Sequence, residues 1–108
     1  MQNFKPYYAV IFTSTSTQNN EGYSKMAVKM EALAKEQKGY IGIDSAKNDI
    51  GITVSYWENL DAIKQWKSNT EHLFAQQKGR EQWYNWYQVR ICKVEREYEF
   101  LHTQESNK

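Results

Sequence analysis

The sequence predicts an α+β domain of the ferredoxin-like type, a split βαβ with a four-stranded antiparallel sheet. Three observations carry this. Four stretches rich in aromatic and β-branched residues, Tyr7 to Phe12, Tyr40 to Lys47, Gly51 to Trp57 and Gln88 to Tyr98, read as strands. Two further stretches, with apolar residues every three or four positions, read as helical. Their order along the chain is strand, helix, strand, strand, helix pair, strand.

Residues 1–6 carry no pattern, and Pro6, which has no N–H to give to a ladder, suits the position just before a strand. Tyr7 to Phe12 (YYAVIF) shows no polar alternation. A strand with one wet face alternates, so both faces of this one are expected to be dry. Thr13 to Gly22 (TSTSTQNNEG) reads as a polar connection whose side chains compete for the backbone, with a mobile flap as the alternative. From Tyr23 to Gln37 the residues Tyr23, Met26, Ala27, Met30, Leu33 and Ala34 share one helix face. Lys25, Lys29, Glu31, Lys35 and Glu36 form the wet side, and Gly39 is placed to end the helix in a left-handed cap.

Tyr40 to Lys47 and Gly51 to Trp57 form a hairpin around Asn48-Asp49. Gly42, inside its first strand, leaves room for another backbone or a ligand. Asn59 is an N-cap for a helix presenting Leu60, Ile63 and Trp66, with Asp61 near its positive end. The spacing Ser68-Asn69-Thr70-Glu71 is a capping box, which predicts a second helix starting there and running through Leu73, Phe74 and Gln77 towards Gly79. Trp83 to Tyr87 suits either a last helical turn or the start of a strand. Gln88 to Tyr98 alternates, with an irregularity expected near Cys92 to Val94, and Glu99 to Lys108, His102 included, is a polar tail.

At 108 residues the chain is one domain, with its core at about 7–98. Fourteen basic against thirteen acidic residues, without a basic block or an acidic tail, argue against nucleic acid and membrane surfaces as partners. No run approaches the roughly 18 apolar residues of a membrane-crossing helix, and MQNFKPYY lacks a signal-peptide pattern, so the expected compartment is the cytoplasm. Cys92 is the sole cysteine, which leaves neither an internal disulfide nor a cysteine metal cluster, and it is expected to be a small buried hydrophobe. Helices cover one face of such a sheet. A first strand dry on both sides then calls for a second copy packed sheet to sheet, with the long last strand reaching across.

The stretch from Ile52 to Tyr84 concentrates the residues able to do chemistry: Trp57, Trp66, Trp83, His72 and Arg80. Indoles beside a titratable imidazole and a guanidinium suggest a pocket. Each also has a packing or solvated alternative, a surface position for His72 and Arg80 and core packing for Trp66, Trp83 and Tyr84. No G-x-G-x-x-G, P-loop or paired Cys/His spacing asks for a cofactor.

The run SYWENLDAIKQWK from Ser55, followed by Glu71-His72, by GREQWY from Gly79 and by a long charged final strand, resembles the antibiotic biosynthesis monooxygenase domain family. The likeness spans roughly Tyr7 to Tyr98. It implies a dimeric α+β barrel, a homodimer joined through its sheet faces, with a pocket in each subunit between sheet and helices. It implies a monooxygenase acting on a small phenolic or quinol-type aromatic without metal or flavin. Within that reading His72 is the base, Trp66 stacks on a flat substrate, Arg80 steadies an anion, Tyr56 or Trp57 donates a hydrogen bond, and Trp83 joins the substrate-binding set. Two other readings remain. One is a non-catalytic ligand-binding or structural dimer. The other is haem binding or degradation, which the resemblance ties to an axial histidine (His72), a neighbouring tryptophan (Trp66) and a first-strand asparagine that Tyr7 to Phe12 lacks.

Overall fold

A computed structural model describes residues 4–18, 22–77 and 83–102, with the backbone alone over 74–77. The elements are β1 (Tyr7–Ser16), α1 (Tyr23–Lys35), β2 (Tyr40–Lys47), β3 (Gly51–Trp57), α2 (Leu60–Gln77) and β4 (Tyr84–Val94). All pairings are antiparallel in the order β2-β3-β1-β4, the ferredoxin-like arrangement. None of the described helices is long and apolar enough to cross a membrane.

Register and alternation decide what each sheet face carries. Tyr8 lies opposite Trp57 and Val10 opposite Ser55, while Trp57 pairs with Tyr40 on its other side. Tyr8, Val10, Tyr40 and Trp57 pack with Ala34 of α1 and with Ala62, Ile63 and Trp66 of α2, so both helices lie on this face. The opposite face holds Tyr7, Ala9 and Ile11 beside Val54, Tyr56, Arg90, Cys92 and Val94. No helix covers it.

Trp57 is the centre of the core, with no exposed surface. A buried indole removes roughly 150–250 Å² from water, worth on the order of 4–6 kcal/mol at about 25 cal/mol per Å². Its Nε1–H donates to Ser55 Oγ at 2.9 Å, which makes the burial tolerable. A second cluster, Met26, Leu73 and Trp83 with Tyr23, Met30, Leu33 and Tyr84, lies at the other end of the helical layer.

Several sequence expectations change. The helix pair is one helix: Ser68 is exposed, Thr70 Oγ1 hydrogen-bonds the Lys67 carbonyl at 2.9 Å, and the stripe Ile63, Trp66, Thr70, Leu73 runs through without a break. Continuing the helix delivers Leu73 to the second cluster, and that burial outweighs the local cap. Four residues of the expected polar connection, Thr13 to Ser16, belong to β1. β4 starts four residues before Gln88 and ends at Val94, which pairs with Tyr7, the residue after Pro6. Pro6 offers no N–H, so the ladder cannot continue along β1. The irregularity falls between Thr15 and Ser16, opposite Trp86 and Tyr84, where Asn85 Nδ2 donates to the Ser16 carbonyl at 3.0 Å, and not at Cys92 to Val94. Cys92 is exposed on the uncovered face instead of buried. Ala27, placed on the apolar helix face by spacing, is exposed as well.

Gly39 has φ 88°, the left-handed backbone expected of it, but α1 has already closed at Glu36, with Gln37 Nε2 donating to the Leu33 carbonyl at 3.1 Å. The left-handed residue turns the chain into β2, and its carbonyl accepts the Glu58 N–H at 2.8 Å. Asn59 caps α2 as its sequence position predicts, Oδ1 accepting the Ala62 N–H at 2.8 Å.

The chain exposes 8573 Å². A compact 12.8 kDa monomer exposes about 6,300 Å², an excess here of about 2,300 Å². The radius of gyration, 16.5 Å, likewise exceeds the roughly 13 Å of a compact domain this long.

Candidate functional site

The helical layer holds two aromatic assemblies. In the first, Trp66 stacks on Trp57 with centroids 5.7 Å apart and planes 29° apart, and Tyr40 meets the other side of Trp57 edge-on at 5.7 Å. Asn59 fixes the start of α2, so the cap sets where Trp66 lands two turns later. Trp66 is half-buried, which leaves part of its ring open for a flat ligand to contact.

The second assembly joins α1, β1 and the start of β4. Tyr23 contacts Trp83 and Tyr84, each at 6.0 Å and nearly perpendicular; Tyr84 meets Tyr87 at 5.5 Å; Phe12 stacks on Tyr87 at 5.0 Å and meets Tyr84 at 5.5 Å. Burial, and then the neighbouring Tyr23 hydroxyl hydrogen-bonded to it, push the Tyr84 phenol well above its ordinary range. A phenol is protonated at neutral pH with or without such a shift, so Tyr84 carries its hydroxyl proton in this partly dehydrated layer. Lys47 Nζ stands 4.5 Å from the Tyr23 ring centroid and places a cation at the edge of this assembly.

The five sequence-predicted residues that are described, Tyr56, Trp57, Trp66, His72 and Trp83, do not converge on one point. Trp57 and Trp66 stack together. Trp57 has its indole N–H committed to Ser55 and no exposed surface, so it serves as the backing of Trp66, with no donor to offer a ligand. Trp83 is buried in the second assembly. Tyr56 lies on the opposite sheet face, across from Ala9 and Gly42, its hydroxyl donating to Asp44 Oδ2 at 3.0 Å. Burial first, and then Asp44, raise its pKa. The room left by Gly42 is taken by that Tyr56 ring, 3.9 Å from where a Cβ would stand.

His72 is exposed. At about 100° per residue on an unbroken helix, six positions turn it some 120° away from Trp66, so α2 does not bring the imidazole to that stack. The expected break at Ser68 would have freed that angle. Arg80 lies outside the described residues.

Tyr84, Tyr23, Tyr87 and Phe12 enter the second assembly without having been singled out as site residues. The available signal was the pairing of Trp83-Tyr84 with Tyr87 at the start of a strand, which sequence periodicity reads as packing.

A haem site needs an imidazole turned towards the helix–sheet layer. His72 stands on the exposed side of α2, and β1 has no asparagine over its ten residues. The residues present do not fit that group. Among the described residues no cluster of three or more His, Cys, Asp or Glu could hold a metal ion.

No protein-family model matches the chain. It is 48% identical over 94 residues to the uncharacterised protein YqjZ of Bacillus subtilis, covering 85% of this chain and 82% of that one. Among solved structures, SnoaB from Streptomyces nogalater, a cofactor-independent oxygenase, superposes with a TM-score of 0.64 at 12% identity, covering 87% of this chain and 97% of SnoaB. A candidate antibiotic biosynthesis monooxygenase from Nitrosomonas europaea gives 0.66 at 9% identity, over 88% of this chain and 95% of that one. At these identities the structures share the fold alone, while the sequence relation is to YqjZ. The chain therefore belongs to the family of Bacillus subtilis YqjZ, built on the α+β fold of the antibiotic biosynthesis monooxygenases.

Proposed function

We propose that this protein is a cofactor-independent monooxygenase that oxygenates a small phenolic or quinol-type aromatic in the helical layer, and that it works as a homodimer joined through its uncovered sheet faces. The observation that carries the catalytic reading is the partly buried Tyr84 phenol set among the rings of Tyr23, Trp83, Tyr87 and Phe12. An electron-rich aromatic that has lost a proton can itself reduce dioxygen. One oxygen atom becomes a carbonyl on a ring carbon that carried two hydrogens, and the other leaves as water with those hydrogens. The balance closes without an outside reductant.

What remains for the protein is to hold the ring, to donate a hydrogen bond to negative oxygen and to keep water away. Tyr84 supplies the donor, and the open part of Trp66 supplies a stacking face. Lys47, over the Tyr23 ring, adds positive potential at the edge. The dimeric reading draws on the surface excess of about 2,300 Å² per chain, about 4,600 Å² for two, which falls within the total range buried by obligate homodimers.

Oxygen uptake with a panel of anthrones and quinols tests this reading, with ¹⁸O₂ to follow the atom into product. Catalysed uptake is expected, reduced about tenfold or more in Tyr84→Phe and Trp66→Ala, as befits loss of one donor or one positioning contact. His72→Ala is the control for the alternative base, and it is expected to change the rate little. Uptake equal to buffer across the panel would refute the catalytic reading and leave a binding or structural dimer.

A further inference from the structure

Lys47, Gly51, Ser14 and Tyr87 lie in one row across the sheet: Lys47 pairs with Gly51, Gly51 with Ser14, and Ser14 with Tyr87. By the period of two, Ser14 shares its face with Tyr8, Val10 and Phe12, so the row belongs to the face that carries the helices and the second aromatic assembly. Gly51 leaves a notch in this row. A Cβ there would stand 3.2 Å from Ser14 Oγ and 3.7 Å from Lys47 Cγ, which walls the notch with a hydroxyl on one side and a lysine stem on the other. The first distance is crowded for carbon and close to hydrogen-bonding range for oxygen.

The groups around the notch suit a negative guest. Ser14 and Ser55 are the buried polar residues described; Ser55 takes the Trp57 N–H, whereas Ser14 turns its hydroxyl to the notch. The Lys47 ammonium, over the Tyr23 ring, forms no ion pair with a carboxylate among the described residues. Asp44, on the same strand, is on the opposite sheet face and accepts the Tyr56 hydroxyl, and the first turn of α1, which starts at Tyr23, has no acidic residue. A cation and a hydroxyl donor side by side are what a carboxylate binds, through charge-assisted hydrogen bonds. Tyr23 joins this corner to the proposed reaction site, since Lys47 lies over its face and Tyr84 meets its ring at 6.0 Å.

We propose that Lys47, Ser14 and the notch at Gly51 form a carboxylate subsite, so that the ligand is a hydroxylated aromatic acid whose ring lies towards Tyr84 while its carboxylate enters the row. The ammonium of Lys47 supplies the charge and the hydroxyl of Ser14 the second donor. This rests on the aromatic-ligand reading above and adds which member of that class the site selects. Lys47 is exposed, so salt weakens the contact, and its loss costs a moderate factor in affinity.

The test uses the full chain and reads binding, not turnover. Calorimetric titration compares 6-hydroxy-2-naphthoate with its methyl ester, which keeps the ring and phenol and removes the charge. The acid is expected to bind about tenfold tighter than the ester. Lys47→Met should erase that preference by weakening the acid alone, and Lys47→Arg should retain most of it. Gly51→Ala, which fills the notch from another strand, should likewise weaken the acid and spare the ester; circular dichroism melts confirm that each variant is folded. Equal affinity for acid and ester, a preference that survives in Lys47→Met, or no binding of either ligand would overturn the subsite. An acid preference without catalysed oxygen uptake would leave the subsite standing and refute the oxygenase; uptake indifferent to the carboxylate would do the reverse.

Discussion

Replacing Gly39 by alanine tests the packing on which the first aromatic assembly depends. Gly39 holds φ 88°, and a Cβ there would stand 2.7 Å from the Ala62 Cβ of α2. Two costs arise. An alanine in the left-handed region costs about 1–2 kcal/mol. The overlap cannot be relieved by rotating a side chain, since both atoms are Cβ, so α2 must move, at about 1–3 kcal/mol. Gly39→Ala should therefore lose roughly 3 kcal/mol, which for a domain of this size lowers Tm by about 10–15 °C.

The measurement is a thermal melt by circular dichroism at one fixed protein concentration, since dimerisation makes Tm depend on concentration. Urea midpoints provide the free energy. A double-mutant cycle with Ala62→Gly separates the two costs. Ala62→Gly alone loses about 1 kcal/mol of helix propensity, but in the Gly39→Ala background it should recover the overlap, a coupling of about 1–3 kcal/mol. A Gly39→Ala loss below about 1 kcal/mol, or a coupling near zero, would refute the close approach of α2 to this turn. Because the Gly39 carbonyl also accepts the Glu58 N–H just before α2, displacement here should carry Trp66 with it.

Asn59→Ala removes the acceptor of the Ala62 N–H and should cost about 1 kcal/mol by urea unfolding, whereas Ser68→Ala, in the middle of the continuous helix, should cost under about 0.5 kcal/mol. Equal losses at the two positions would restore the break at Ser68. Ser55→Ala leaves the fully buried Trp57 N–H without its acceptor and should cost about 1–3 kcal/mol, read from the same denaturation curves. The hydrogen bond to Glu97, followed by burial, pushes the Tyr7 phenol up to about 12. The folded chain thus keeps this proton where the unfolded chain releases it near 10, so the contribution is complete below pH 10 and is lost as pH rises from there to about 12. Glu97→Gln should bring the Tyr7 titration, followed by ring-carbon NMR, back towards 10; an unmoved titration would remove Glu97 as the cause.

The candidate site was less legible than the fold, for a reason visible in particular residues. Trp57 and Trp66 were identifiable as large apolar groups, but which of the two keeps an open ring depends on Tyr8, Val10, Ala34 and Tyr40 closing around Trp57 from other elements. His72 was the candidate base because an imidazole titrates near neutral pH, with a surface position as its alternative. The burial of Leu73, distant in sequence from Met26 and Trp83, kept the helix running and turned the imidazole outward. Tyr84 read as packing, and its surroundings, partial burial first and then Tyr23, sixty-one positions earlier in the chain, are set by the tertiary fold.

By itself the sequence determined what local pattern can determine: the order of elements, both hairpin strands to the residue, the Asn59 cap and the left-handed turn at Gly39. These follow from side-chain period and backbone preference within a few positions. Tertiary structure decided where β1 and β4 stop, that α2 is continuous, which face Cys92 occupies and which rings meet. Each of those depends on a ladder partner or a buried contact brought from far along the chain, and its burial is worth more than the local signal it overrides.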